Sequence, residues 1–428
     1  MRVALINPPW TFEGSIYFGC REPHFPLELG YSKALLEASG HEALLIDGHL
    51  DQVSQMEIIE RVRDFQPDMS VLTTAPTYLF WRCPPPELRV PQEISSKLRS
   101  LPGKLVIVGP HGSTTPGAVL RKLHADMVVL GECEEVIAHI ANGIEDLSSV
   151  AYWEGDQIVV RGPNCSADMK QLPGLHWPNE MVRRHKHHHH RFDAEPAGPG
   201  AEMEASRGCP YHCTFCAKDN FRNNYRKRPL PVLLQELDGF IDQGVEYIYF
   251  VDEIFLPDMP LLAALADRKI KIGVQTRIDL WNHQAIEALA RAGCVSIEAG
   301  VESITEAGRA YLDKKCKMST DELAERLICA KRIVPFVQAN LLAMVEDDAE
   351  EIERWRRQLE GHGVWANKPV PLFPYPGSPE YTRMWGPADD NAWERAHDAY
   401  LKGFDSFSDI QEQRPQPLVE LEMAGNGR

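Results

Sequence analysis

SRGCPYHCTFC, residues 206–216, places Cys209, Cys213 and Cys216 within eight positions at the spacing Cys-x3-Cys-x2-Cys. Gly208 and Pro210 favour a turn over a continuing helix, so the three thiols sit on a loop. A short loop with these spacings can wrap three corners of a cuboidal iron-sulfur cluster. Structural zinc is the competing use, but it needs four closed ligands. The fourths on offer, His212 inside the loop and the distant Cys294, make a less regular set. The cluster is favoured, and its uncovered iron is then where a substrate or cofactor meets the metal.

The loop stands near the start of a regular series. Strand-like runs occur at EMEASRG (202–208), VEYIYFVDE (245–253), KIKIGVQTRID (269–279), CVSIEAGVES (294–303), FVQANLLAMVE (336–346) and WANKPVPLFPY (365–375), with amphipathic helical stretches between them. Six such units make a curved parallel sheet or partial (β/α)6 barrel, with functional residues expected at the carboxyl ends of its strands. Upstream, apolar runs at 2–9, 42–47, 69–74, 104–109 and 126–132 alternate with helical stretches. That pattern reads as a doubly wound, Rossmann-like parallel sheet covered on both faces.

The expected organisation is therefore α/β throughout. Residues 1–145 form the Rossmann-like domain, and 146–200 hold a hairpin around Glu154-Gly155-Asp156 and a His-rich linker. The partial barrel spans 201–380, and 381–428 form a helical extension whose end, after about 412, is polar and expected to be disordered. The His run at 185–190 reads as a polar linker or docking face, because consecutive side chains point in different directions.

Composition narrows the partners. The 428 residues carry a formal charge of -17 and no Lys/Arg stripe, which argues against nucleic acid or an anionic membrane surface. A small-molecule or peptide substrate is expected. No apolar run is long enough to cross a bilayer, and the first residues read as a strand, so a cytoplasmic location is expected. Ten cysteines are too sparse for a disulfide scaffold.

With Phe215 before its last cysteine, the opening stretch resembles the cluster loop of the radical S-adenosylmethionine (SAM) superfamily. The resemblance implies a 4Fe-4S cluster held by Cys209, Cys213 and Cys216, with SAM chelating the fourth iron. One electron then breaks a carbon-sulfur bond and releases a 5'-deoxyadenosyl radical, with a small electron-transfer protein such as flavodoxin or ferredoxin as donor. By place along the fold it assigns Phe215, Asp252, Glu253, Gln275, Arg277, Glu298 and Glu302 to SAM. FVDE departs from the family's Gly-Gly-Glu, and LLAMVEDDAEE lacks the usual glycines of the fifth strand.

VIVGPHGSTTP with DMVVLGECEE resembles the cobalamin-binding domain that precedes many radical SAM enzymes. This second resemblance implies cobalamin over Pro8, Thr74, Tyr78, Gly109, His111, Gly112, Ser113, Gly131 and Glu132, with the small residues allowing close approach of the corrin. The Asp-x-His-x-x-Gly motif is missing after the first strand, and Asp47-Gly48-His49 imitates it only in part. The lower face is therefore expected to meet the 74–81 loop, with Tyr78 or Trp81, instead of a histidine. Together the resemblances imply a cobalamin-dependent radical SAM enzyme, foremost a methyltransferase acting on an unactivated carbon or phosphorus. Radical tailoring without methyl transfer, by cyclisation, ring contraction or oxidation, is the alternative; a non-catalytic cobalamin or redox sensor is a remote one. No catalytic residue is assigned.

Overall fold

The computed structural model describes residues 1–16, 22–77, 83–185, 199–218, 221–222, 224–404 and 414–425. The upstream apolar runs form β1 (Arg2–Asn7), β2 (Glu42–Asp47), β3 (Met69–Thr73), β4 (Lys104–Val108) and β5 (Met127–Val129). They lie parallel in the order β2-β1-β3-β4-β5. Alternate residues of a strand point to opposite faces. Val3 and Leu5 accordingly pack with helices 27–38 and 134–141, while Ala4 and Ile6 pack with helices 55–65, 89–98 and 116–122. Two apolar faces explain why these strands read as continuous apolar runs.

The hairpin of β6 (Val150–Glu154) and β7 (Gln157–Arg161) is not part of a free connector. It adds to β5 antiparallel and completes a seven-stranded sheet. After it the chain crosses to the second unit, where β8 (Gly200–Met203) leads into a two-stranded ribbon of β9 (Ser206–Arg207) and β10 (Arg226–Lys227). β11 (Tyr247–Phe250), β12 (Lys271–Thr276), β13 (Cys294–Glu302), β14 (Phe336–Leu341) and β15 (Trp365–Ala366) follow. With β8 they form six parallel strands in consecutive order, the expected partial barrel.

The sixth strand is much shorter than its apolar run. Pro369, Pro371, Pro374 and Pro376 lack the backbone donor a ladder needs. The Asn367 side chain stands in for part of the missing ladder: Leu341 N donates to its Oδ1 at 2.7 Å, and its Nδ2 donates to Leu341 O at 3.1 Å.

The two units share one core. Phe25 stacks on Trp177 at 4.8 Å and on His185 at 4.0 Å, and residues of both sheets belong to the same apolar cluster. His185, first of the His run, is fully buried, with Nδ1 3.1 Å from Gly200 O and Nε2 3.4 Å from Glu202. It is a core residue, not part of a polar face; positions 186–190 lie outside the described residues.

The C-terminal region also departs from expectation. Leu418 and Leu421, on helix 418–425, are buried against Trp393 and Tyr400, and Lys122 of the first unit pairs with Glu394 and Glu422. Two leucines three positions apart give this otherwise polar stretch an apolar stripe to bury. Among the described residues no helix is long and apolar enough to cross a membrane.

Candidate cluster and cofactor site

The cysteine loop is fixed at its neck. Arg207 of β9 pairs in register with Arg226 of β10, closing the ribbon from which the loop projects. Gly208 follows at φ +76°, and a Cβ there would lie 2.2 Å from Asn224 O, so only glycine fits. Its N–H donates to Glu253 Oε2 at 2.8 Å. Further along, Cys216 N donates to Cys213 O at 3.1 Å, while Thr214 is held on two sides, donating to Leu312 O and accepting from Glu380 N.

All three thiols line one cavity of about 430 Å³. Burial pushes the Cys209 thiol up, Cys213 to about 11 and Cys216 to about 12. Such thiols hold their protons until a cation displaces them. Among the described residues no three His, Cys, Asp or Glu side chains converge on a single-ion site. Three thiols on one cavity are the donor set that a multi-iron cluster takes. His212 is exposed and does not line the cavity.

Of the residues assigned to SAM, Phe215, Glu253, Gln275, Arg277, Glu298 and Glu302 line this same cavity. Asp252 does not. It accepts from Ala205 N at 2.9 Å and from the Ser206 hydroxyl, and burial raises its carboxyl to about 7. It ties the end of β11 to the ribbon.

Arg277 is held by Asp279 through two bonds, of 3.1 and 2.7 Å, and its guanidinium lies 4.2 Å from the Tyr211 ring centroid. Its Nη1 is buried with no partner among the described residues. A buried donor left unpaired is costly, so this nitrogen fits a carboxylate or other acceptor of a bound ligand. Glu302 lies in the left-handed region at φ 62°, where β13 and β14 shift register, and pairs with the buried Lys314, which also donates to Gly300 O at 3.0 Å. Non-glycine residues held this way cluster at ligand sites.

Sequence reading missed Lys314, Lys218, Gln338, Asn340 and Cys83, all of which line the cavity. Gln338 and Asn340 were findable as alternate residues at the end of a strand; Lys314 and Cys83 arrive from loops.

The strand ends of the first sheet give a mixed result for the cobalamin assignments. Pro8 and Thr74 are buried, and the hydroxyls of Thr73 and Thr74 have no partner among the described residues. Unpaired hydroxyls at strand ends fit a ligand rich in amides and hydroxyls. Gly109, at φ 125°, needs to be glycine, and Ser113 links it to Gly131, donating to Gly109 O at 3.0 Å and accepting from Gly131 N at 2.8 Å.

Gly112 and Gly131 are small because of packing within the chain. A Cβ at Gly112 would meet Val128 at 2.3 Å, and one at Gly131 would meet Cys165 O at 2.4 Å. Their close approaches are to this chain. His111 is buried, with Nε2 2.8 Å from Pro85 O and its ring 4.4 Å from Trp393, and burial lowers its pKa to about 3. It acts as neutral packing. Tyr78 and Trp81 lie outside the described residues.

Glu132 belongs to an ionic cluster between the units. Arg207 Nη1 reaches Glu132 at 3.1 Å, and Nη2 reaches Glu204 at 2.5 Å and, off the N–H axis, Glu134 at 2.7 Å. Arg222 spans Glu204 at 3.2 Å, Glu253 at 3.3 Å and Glu28 at 3.5 Å. Against the cost of burial, Arg207 and its neighbours hold the Glu132 carboxyl down at about 2, whereas burial raises Glu28 to about 7. The carboxyl end of β5 thus meets the ribbon that carries the cysteine loop.

Residues 203–359 match the Radical SAM superfamily. The anaerobic magnesium-protoporphyrin IX monomethyl ester cyclase of Cereibacter sphaeroides is 24% identical over 90% of this chain, and the match spans 64% of that protein's length. An uncharacterised methyltransferase of Pyrococcus horikoshii is 21% identical over 90% of this chain and 82% of its own. The structure of the radical S-adenosylmethionine methyltransferase TsrM from Kitasatospora setae, with cobalamin and a 4Fe-4S cluster bound, superposes at TM-score 0.71 and 16% identity, covering 89% of this chain and 76% of that one. At that identity the likeness is one of fold.

Proposed function

We propose that this chain, a radical SAM protein over residues 203–359, is a cobalamin-dependent methyltransferase acting on an unactivated carbon or phosphorus centre. One observation carries the reading: Cys83, from the segment after β3 of the first sheet, lines the same cavity as Cys209, Cys213 and Cys216. A segment that follows the first sheet's β3 therefore reaches the wall of the cavity that the cysteine loop lines.

When bound, the cluster would supply an electron, SAM the hydrogen-abstracting radical and cobalamin the methyl group. Cys209, Cys213 and Cys216 would hold iron as thiolates and leave one iron for SAM. Arg277, fixed by Asp279 and lying over Tyr211, would direct a guanidinium at the ligand's acceptor, while Lys314 is held at the same cavity by Glu302. Gln338 bonds to Asn340, lining the wall with neutral amides that orient a ligand without adding charge.

The reading takes a small-molecule or peptide substrate, an electron donor such as flavodoxin or ferredoxin, and a cytoplasmic setting. It keeps units at 1–145, 201–380 and 381–428, with the hairpin joined to the first by its pairing with β5. Ring formation is the second reading, favoured by the cyclase relative.

The test needs no substrate. Reconstituted protein is incubated anaerobically with reductant, SAM and hydroxocobalamin. S-adenosylhomocysteine together with methylated cobalamin supports methyl transfer, and the absence of both overturns it. Cys213→Ala should lose the visible charge-transfer band of the cluster.

A further inference from the structure

Arg207 and Arg226 stand directly opposite each other at the neck of the cysteine loop. Like charges in that position repel and open a two-stranded ribbon. The carboxylate that answers both comes from the other sheet. Glu132 Oε2 accepts from Arg207 Nη1 at 3.1 Å and from Arg226 Nη1 at 3.1 Å, while Oε1 accepts from Arg226 Nη2.

Glu132 is itself rigidly placed. It follows Gly131 at φ +80°, its N–H donates to Cys165 O at 3.1 Å, and its Oε2 also accepts from Ala167 N at 2.9 Å. The carboxylate is fully buried, so its pairing is little screened by water.

We propose that Glu132 is a positioning residue for the iron-sulfur cluster: by neutralising the opposed Arg207 and Arg226, the first sheet sets the geometry of the cysteine loop and the reduction potential of the cluster. Arg207 lies two residues before Cys209, so spreading of the ribbon moves that thiol directly. Removing the carboxylate also makes the surroundings of the loop's neck one charge more positive, which favours the reduced form of the cluster. This inference rests on the reading of the three cysteines as cluster ligands.

The experiment uses the full chain, reconstituted with iron and sulfide, as wild type, Glu132→Gln and the double variant Glu132→Gln/Arg226→Gln. Dye-mediated redox titration gives the midpoint potential, and electron paramagnetic resonance of the reduced cluster, with and without SAM, reports its geometry. Glu132→Gln should shift the potential upward and alter the resonance, and the double variant, which again has one charge fewer to neutralise, should return both toward wild type. A Glu132→Gln protein with wild-type potential and resonance, whatever its thermal stability, overturns the proposal, as does a double variant that fails to recover them. If Glu132→Gln does not fold, the double variant decides. A wild-type protein that shows no cluster signal removes instead the reading on which the proposal rests.

Discussion

The indole of Trp393 lies 4.4 Å from the imidazole of His111, and its Nε1 donates to Thr115 Oγ1 at 3.2 Å. A residue close to the C-terminus thereby seals a helix that starts at the carboxyl end of β4. The contact joins the C-terminal helices to the first unit.

Truncating this anchor should loosen the C-terminal helices. Trp393→Ala removes a buried aromatic and is expected to cost about 3–5 kcal/mol. Chemical denaturation measures the loss, and Trp393→Phe should retain more than half of the stability difference because it keeps the packing and loses one hydrogen bond.

Gly208→Ala should damage the cluster loop selectively. The new Cβ meets Asn224 O at 2.2 Å with the backbone at φ +76°, and neither atom is the end of a flexible side chain. Iron content per chain after reconstitution should fall well below wild type. Gly239→Ala is the control: nothing lies within 4 Å of its Cβ on helix 230–242, and the exchange should stabilise by roughly 0.5–1 kcal/mol.

Arg277→Lys should weaken SAM binding. Lysine keeps the charge but cannot hold Asp279 through two parallel bonds, stack flat on Tyr211 and still present a third donor. Losing one charge-assisted hydrogen bond predicts roughly a tenfold or greater rise in Kd by calorimetry. The melting temperature should move little.

Asp47 predicts a pH signature. Burial raises its carboxyl from the ordinary 3.8 to about 7, while Oδ1 accepts from Asn7 Nδ2 at 2.8 Å. Below pH 3.8 both folded and unfolded chains hold the proton. As pH climbs toward 7 only the unfolded chain releases it, so this group's contribution to native stability is lost over that window. Asp47→Asn removes the titration. The stability of the variant relative to wild type should therefore grow between about pH 4 and pH 7, by about 4 kcal/mol. Paired denaturation curves across that range provide the measurement, and a difference that stays flat contradicts it.

Much of the molecule is legible before folding. Apolar runs with period-two faces and intervening helical stripes announce both parallel sheets, because burial on two sides demands continuous apolar strands. The Cys209, Cys213 and Cys216 spacing is local, so the loop chemistry is written in eleven residues. Arg277, Glu298 and Glu302 were also within reach, since strand ends are where parallel sheets place ligands.

Other assignments depended on which partners the fold brings within a few ångströms. Gly112 and Gly131 look open in sequence, yet Val128 and Cys165 occupy the space beside them. Asp252 and Glu253 are neighbours at one strand end, but only Glu253 reaches the cavity, since successive side chains diverge. Glu132 reads as a ligand contact and His185 as part of a solvated run, whereas one clamps two arginines 75 and 94 residues away and the other lies buried under Phe25. Local pattern dictated the strands, the helices and the cysteine loop, because those depend on side chains a few positions apart. The pairing of charges depended on contacts between distant segments, because a carboxylate's role follows from the cation that burial places beside it.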